Sequence, residues 1–261
     1  MPPMIGRKSE LDILIRALER ARDGHGSVAL IGGEAGIGKT TLAGELRSAA
    51  QARNVEILWG RTPEAAWAGP YAPWIEALGN ENEELFQAPD ALSPDDRQVH
   101  IHDRVLRTLN RPSPTMLVLE DLHWAQPASL ELLRHAAFGA SRSAILIAGT
   151  YRSSAAAPHL PLGKLLGHLR READVLDVPL SGLDRSDLRT LLGKATSDQL
   201  DRILQETKGN PLYAVELGRM LDEQPATYAG QQVPLTLRQA IAQRLDRLPD
   251  TTQQMLSTAS I

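Results

Sequence analysis

The residues Gly33-Glu34-Ala35-Gly36-Ile37-Gly38-Lys39-Thr40 match the pattern G-x-x-x-x-G-K-[ST] of a phosphate-binding loop. The loop directly follows the apolar run 28–31 and precedes a helical pattern that starts at Thr40. Its glycines allow successive backbone N–H groups to face a phosphate, and the helix adds its positive N-terminal end. A glycine-rich turn that only joined a strand to a helix would need neither Lys39 nor Thr40. The sequence therefore predicts a nucleotide site here.

Two side chains of this loop are expected to act on the nucleotide. Lys39 is predicted to bring a mobile positive charge to the β- and γ-phosphates, as a catalytic residue, and Thr40 to place its hydroxyl on Mg²⁺. ATP or ADP and Mg²⁺ are therefore the predicted cofactors. The residues expected to contact them from this segment are Gly33, Glu34, Ala35, Gly36, Ile37, Gly38, Lys39, Thr40 and Thr41.

Two further strand ends supply candidate catalytic residues. The apolar run 116–119 ends in Glu120 and Asp121, and acids at such a strand end lie in the crevice where open α/β sheets bind ligands. We interpret Glu120 as the acid on the metal side and Asp121 as the base that polarises a water. Arg152 follows the apolar run 144–150 and is predicted to reach the terminal phosphate. The alternative for the two acids is an ordinary charged strand end, and the alternative for Arg152 is a surface arginine.

The wider pattern predicts an α/β fold, a P-loop (AAA+-like) five-stranded parallel sheet with flanking helices. Short apolar runs alternate with helical patterns, as parallel sheets covered on both faces require. The predicted strands are 27–31, 55–59, 115–120, 144–150 and 174–180, and the helices between or before them are 10–22, 40–53, 95–109, 128–137 and 162–172. Three more helical patterns, 185–194, 198–207 and 211–221, follow without a strand.

This pattern divides the chain into a nucleotide-binding domain at 1–181, a helical lid domain at 182–224, a linker at 225–233 and the start of a winged-helix region at 234–261. The last helical pattern is cut off at Ile261, so we expect an output domain beyond this chain.

Composition excludes several classes of protein. Lys and Arg number 28 against 32 Asp and Glu, for a net charge of −4, so direct nucleic-acid binding is not expected. The chain has no cysteine, which excludes disulfides and thiolate metal sites. No apolar run approaches the ~20 residues that span a bilayer, and the N-terminus lacks a signal-peptide core, so a cytoplasmic location without membrane partners is expected.

Taken in order, the motifs resemble those of the STAND class of AAA+ P-loop ATPases, and most closely the nucleotide-binding domain of large ATP-binding regulators of the LuxR type. Ile5-Gly6-Arg7-Lys8-Ser9-Glu10-Leu11 resembles the motif that lies against the adenine, which makes Ile5, Gly6 and Arg7 expected contacts. Leu119-Glu120-Asp121-Leu122-His123-Trp124-Ala125 resembles the metal-binding strand, and Gly149-Thr150-Tyr151-Arg152 the sensor strand. Gly209-Asn210-Pro211-Leu212 resembles the G-x-P motif, whose proline, here Pro211, packs near the base.

The resemblance implies a regulated switch in which ADP holds a closed form and ATP with an upstream signal opens it for self-association. Two departures matter, because the family usually has paired aspartates at Glu120-Asp121 and often an aspartate where this chain has Gln126. Because Glu120 replaces the usual aspartate, a module that binds nucleotide without turnover is the second alternative. A P-loop kinase acting on a small molecule is the third alternative.

Other features have less specific interpretations. His123 and Trp124 form either a bridge beneath the nucleotide or ordinary packing. The turn 67–74, which begins at Trp67 and ends at Trp74, is either a partner surface or a helix start that packs on the sheet. His100 and His102 are expected at the surface, because no further ligand completes a metal site.

Overall fold

A computed structural model describes residues 4–64, 69–111 and 113–223 of the chain. The chain divides between Leu180 and Ser181 into two compact units. Within the described residues, no helix is long and apolar enough to cross a membrane.

The first unit is built on one parallel sheet. Its strands are β1 (Ser27–Gly33), β2 (Glu56–Arg61), β3 (Thr115–Glu120), β4 (Ile145–Arg152) and β5 (Val175–Pro179). They lie in the order β2-β3-β4-β1-β5, and each neighbouring pair is parallel. The predicted five-stranded parallel α/β fold is confirmed. Because β1 and β3 are buried at every position, their sequences are nearly continuous apolar runs.

Helices cover both faces of this sheet. They are α1 (Lys8–Arg22), α2 (Lys39–Gln51), α3 (Ala72–Leu78), α4 (Pro94–Leu109), α5 (Pro127–Ala140) and α6 (Pro161–Glu172). Alternate strand residues face opposite ways, so Leu117 and Leu119 pack with α3 to α6, whereas Met116 and Val118 pack with α1 and α2. This two-sided burial fixes the register of each strand and brings the carboxyl ends of β1, β3 and β4 to one edge.

Helix α3 lies in the segment interpreted from sequence as a proline-rich turn. Pro73 occupies one of its first positions, where the missing N–H breaks no helical hydrogen bond. Trp74 is fully buried among residues of the sheet and of α5, and its indole N–H donates to the Ser129 carbonyl at 3.2 Å. Packing of this helix start on the sheet is thus confirmed for Trp74, while Trp67 lies outside the described residues.

The second unit contains α7 (Arg185–Leu192), α8 (Ser197–Thr207) and α9 (Pro211–Glu223), as the sequence predicts. Its own apolar core includes Leu188, Leu200 and Ile203. The side chain of Asp184 caps α7, and Thr196 with Gln199 forms a capping box on α8. The linker at 225–233 and the winged-helix region at 234–261 lie outside the described residues, and the lid role of this unit stays a prediction.

His102 is not at the surface, so this expectation was wrong. Its side chain lies between α4 and α5, where Nδ1 is 2.8 Å from Nδ1 of His135 and the ring meets Tyr71 edge to face. Its exposed fraction is only 4%. The reason is helical spacing, since His102 shares the buried face of α4 with Ile101, Val105 and Leu109.

This burial predicts a loss of stability in acid. Burial, and secondarily the neighbouring His135, lower the pKa of His102 from its ordinary 6.5 to about 4, while Glu131 opposes the shift. The unfolded chain therefore takes up a proton that the folded chain does not, so stability falls as pH falls from 6.5 towards 4. Urea denaturation at pH 7 and pH 5 should show His102→Gln losing about 2 kcal/mol less than the parent over this interval. Replacing the exposed His25 by Gln is the control, and an equal loss in all three proteins would contradict the assignment.

Candidate functional site

The loop between β1 and α2 has the backbone of an anion site. Gly36 and Gly38 have φ angles of 75° and 104°, which residues with a side chain rarely adopt. A Cβ on Gly33 would lie 2.7 Å from the Ile37 side chain, which is buried and anchors the loop. In the described structure no side chain caps the N-terminus of α2. The first N–H groups of α2 therefore remain available for a phosphate.

Lys39 is folded back over this loop. Its Nζ donates to the carbonyl oxygens of Gly33 at 3.0 Å and Glu34 at 2.7 Å, and the residue is only 8% exposed. Burial lowers the pKa of Lys39, the charge of Asp121 opposes this, and that of Arg152 adds to it. Among the described residues this charge is hydrogen-bonded to two carbonyls, which it can exchange for phosphate oxygens at little cost. Thr40 is exposed in the first turn of α2 and Thr41 is half-buried.

Asp121 follows β3 in a turn that aims its carboxylate outward. Its φ of 58° lies in the left-handed region, which Asp tolerates better than most residues. Its backbone N–H donates to the hydroxyl of the buried Thr150 at 3.0 Å, which ties this turn to β4. Its side chain is 34% exposed. The turn leaves the Asp121 carboxylate accessible to a water or a ligand.

Glu120 is in a different environment from its neighbour. Its side chain is fully buried, and Oε2 accepts from Nε of Arg61 at 2.9 Å and from Nη2 at 2.5 Å. Among the described residues, Oε1 of Glu120 has no hydrogen-bond partner. An orphaned buried carboxylate oxygen fits a hydrated cation, and carboxylate and hydroxyl oxygens are the ligands Mg²⁺ prefers. Glu120 and Thr40 thus have the donor chemistry for Mg²⁺, with Arg61 as a partner that the sequence analysis missed.

Arg152 lies beside the start of the loop. In the parallel register of β1 and β4 it is the partner of Gly33, and its guanidinium lies 5.5 Å from the centre of the Trp124 ring. The adjacent His123 ring packs on Trp124 with centres 5.1 Å apart, and its Nδ1 is 4.0 Å from Oδ1 of Asp121. Burial lowers the pKa of His123 to about 4, which Asp121 opposes and Arg152 and Lys39 reinforce. His123 and Trp124 therefore link Asp121 to Arg152.

The N-terminal motif also reaches the loop. Arg7 is 5% exposed, and its Nη2 donates to the Ile37 carbonyl at 3.3 Å while Nη1 pairs with Glu10 at 3.3 Å. Ile5 is half-buried, and Gly6 is exposed with a φ of 67°. The structure thus brings Arg7 of the predicted motif against the predicted loop. Pro211 begins α9 in the second unit, and its contact with an adenine stays a prediction.

Sequence comparison gives two findings. The pattern of the AAA ATPase domain family matches residues 3–148. Over 198 residues the chain is 29% identical to an uncharacterized protein of Rhizobium meliloti (strain 1021), covering 60% of this chain and 19% of that protein. The chain therefore spans less than a fifth of the length of this relative.

Several solved structures share the fold. The ORC1 protein of Aeropyrum pernix, solved with DNA, has a TM-score of 0.55 at 16% identity, over 96% of this chain and 70% of that one. Cdc6p of Pyrobaculum aerophilum has a TM-score of 0.55 at 16% identity, over 86% of this chain and 65% of its own. A RuvB variant of Thermotoga maritima has a TM-score of 0.51 at 18% identity, over 97% and 76%. At these identities the likeness concerns the fold alone.

Proposed function

We propose that this chain, which belongs to the AAA ATPase domain family, is a regulatory switch domain that binds ATP or ADP with Mg²⁺ and hydrolyses ATP slowly. The observation that carries the proposal is that two positive side chains, Lys39 and Arg152, and the acid Asp121 lie together at the phosphate-binding loop. Lys39 lies over the loop, and its charge interacts with those of both Asp121 and Arg152. This is the set of groups that phosphoryl transfer to water requires.

Each residue has a defined part in the proposed reaction. The loop amides and Lys39 hold the phosphates, and Lys39 gives up its bonds to the Gly33 and Glu34 carbonyls to do so. Asp121 accepts hydrogen bonds from the attacking water and orients it towards the terminal phosphorus. Arg152 stabilises the charge that develops on the phosphate oxygens. Mg²⁺, held through Thr40 and Glu120, would offset phosphate charge when bound.

A module that binds nucleotide without turnover is the second candidate. It is favoured by the ion pair between Arg61 and Glu120, because Glu120 is the acid proposed to hold the metal. Phosphate release from the purified chain, with ATP and Mg²⁺ in excess, separates the two candidates. Release above that of a Lys39→Ala sample supports the ATPase, and ATP binding without release supports the binding module. Formation of ADP that required an added hydroxyl acceptor, without release of free phosphate, would instead indicate a kinase.

The STAND and LuxR-type assignment, with regulation of transcription or signalling and self-association in the ATP state, is part of the same proposal. It is supported by the position of Arg7 against the loop and by the much greater length of the Rhizobium relative. The location that we propose is the cytoplasm. Size-exclusion chromatography with ADP and with a slowly hydrolysed ATP analogue tests the association, because only the ATP state is expected to form larger species.

Replacement of Arg152 tests the sensor role. Only ATP presents a γ-phosphate, so Arg152→Ala should weaken ATP binding about tenfold and ADP binding little, because one hydrogen bond between charged groups contributes on that order. Calorimetric titration with both nucleotides measures this ratio. Arg142→Ala, an exposed arginine just before the opposite end of β4, is the control. A variant that kept the parent's ratio of ATP to ADP affinity would remove Arg152 from the site.

A further inference from the structure

We propose that Arg61 competes with a divalent cation for the Glu120 carboxylate, so that this cross-strand ion pair controls metal loading of the site. The proposal rests on the function proposed above and assigns a role to a residue that the function does not use.

The geometry makes Arg61 the mobile partner of the pair. Arg61 and Glu120 are direct neighbours in the parallel register of β2 and β3, so their side chains leave the sheet on the same face. Glu120 is fully buried, whereas the Arg61 side chain is 54% exposed. The carboxylate is therefore held in place by its surroundings, and the guanidinium can leave it for solvent.

The charge of Arg61 compensates a carboxylate that burial would otherwise penalise. A buried carboxylate without a positive partner is costly, and within the described residues Glu120 pairs with Arg61 through Oε2 while Oε1 has no partner. A cation bound through this carboxylate would supply the compensating charge instead. Two cations drawn to one buried carboxylate repel each other, so each weakens the binding of the other.

Neighbouring acids give the displaced guanidinium somewhere to go. Nε of Arg61 is already 3.9 Å from Oδ2 of Asp121, and Oε2 of the exposed Glu76 accepts from the Arg61 backbone N–H at 2.8 Å. The hydrogen bonds that Arg61 donates to Glu120 raise the pKa of Arg61 most, and the charges of Asp121 and Glu76 add to this. Arg61 thus remains among negative charges after it releases Glu120.

The same geometry accounts for glutamate at position 120. Aspartate is shorter by one methylene, roughly 1.5 Å, which would draw the carboxylate back from Arg61. The longer side chain meets two of the guanidinium nitrogens, Nε and Nη2, within 2.9 Å. Glu120 therefore serves the ion pair as well as the proposed metal.

The test is a calorimetric titration of the metal-free chain with Mg²⁺ alone, repeated in the presence of ADP. Arg61→Gln should bind Mg²⁺ about tenfold more tightly than the parent, because a hydrogen-bonded charge no longer competes for Glu120. The matched control is Arg111→Gln, which breaks the pair between Arg111 and Glu56 at the opposite end of the same two strands. Both variants lose one positive charge, so a general attraction of Mg²⁺ to the protein would affect them equally.

A second set of variants keeps the test decisive if Arg61→Gln does not fold. Arg61→Lys keeps a positive charge beside the Glu120 carboxylate, so this variant should fold. It offers one ammonium in place of two guanidinium nitrogens, so we expect a smaller gain in Mg²⁺ affinity than in Arg61→Gln. The double variant Arg61→Gln with Glu120→Gln should lose the gain completely. The melting temperature adds a readout free of activity, since Mg²⁺ should raise it more in Arg61→Gln than in the parent.

Any of three results would overturn the proposal. The parent and Arg61→Gln could bind Mg²⁺ equally tightly, Arg61→Gln and Arg111→Gln could gain equally in affinity, or the gain could persist in the double variant. Failure of the proposed function has a different signature. If the parent does not bind ADP at all, that function fails, while the titrations with Mg²⁺ alone still decide the competition at Glu120.

Discussion

Lys39→Ala should weaken the binding of both ATP and ADP about 100-fold while leaving the chain folded. Lys39 donates its ammonium to the Gly33 and Glu34 carbonyls and is placed where the β- and γ-phosphates are proposed to bind. Its removal therefore takes away charged hydrogen bonds to both phosphates. The fold should not suffer, because burial lowers the pKa of Lys39 and thus opposes its charge in the folded chain. Calorimetric titration with each nucleotide gives the affinities, and thermal unfolding gives the stability.

Lys164→Ala provides the comparison for this variant, because Lys164 is exposed on α6 and belongs to the same unit. Its affinities should equal those of the parent. If Lys39→Ala and Lys164→Ala bound both nucleotides as tightly as the parent, the loop would not be the phosphate site.

Asp121→Asn should reduce phosphate release by about 100-fold or more and change ATP affinity little, because a general base acts mainly in the transition state. Asparagine also tolerates the left-handed backbone that Asp121 adopts, so the turn after β3 should be retained. The rate constant for phosphate release at saturating ATP measures the first effect, and calorimetry measures the second.

Glu120→Gln separates the two acids. It should mainly weaken the dependence of nucleotide binding on Mg²⁺, since Glu120 is assigned to the metal side. Asp103→Asn, an exposed acid paired with Arg107 on α4, controls for the lost charge. If Asp121→Asn weakened the Mg²⁺ dependence and Glu120→Gln slowed release without doing so, the roles assigned to the two acids would have to be exchanged.

The sheet could be predicted from the sequence because burial on both faces leaves a clear pattern. Strand β3 has the predicted bounds, and the other strands differ from them by at most two residues at either end. For helix α3 the sequence indicated only a helix start within 67–74 and not its course to Leu78, since Gly69, Pro70 and Pro73 locally favour a turn. Pro73 is compatible with a helix only at its first positions, and the decisive contribution is the burial of Trp74 against distant residues.

The partners of the site residues could not be read in the same way. Glu120 and Asp121 were recognised as strand-end acids, but Arg61 was not, because its contact with Glu120 depends on which strands are neighbours and in what register. With the order β2-β3 known, the ends of 56–61 and 115–120 fall side by side. The contact between His102 and His135 likewise joins residues on different helices, and no local periodicity reveals it.

Equilibrium dialysis of the purified chain against ADP with Mg²⁺ tests the central claim most directly, since the proposed function requires an adenine nucleotide at the loop 33–40. Bound ADP is quantified by chromatography after denaturation. The account predicts saturation at one ADP per chain, with ATP competing for the same site. Absence of saturable binding up to about 1 mM, the upper end of typical substrate KM values, would contradict it.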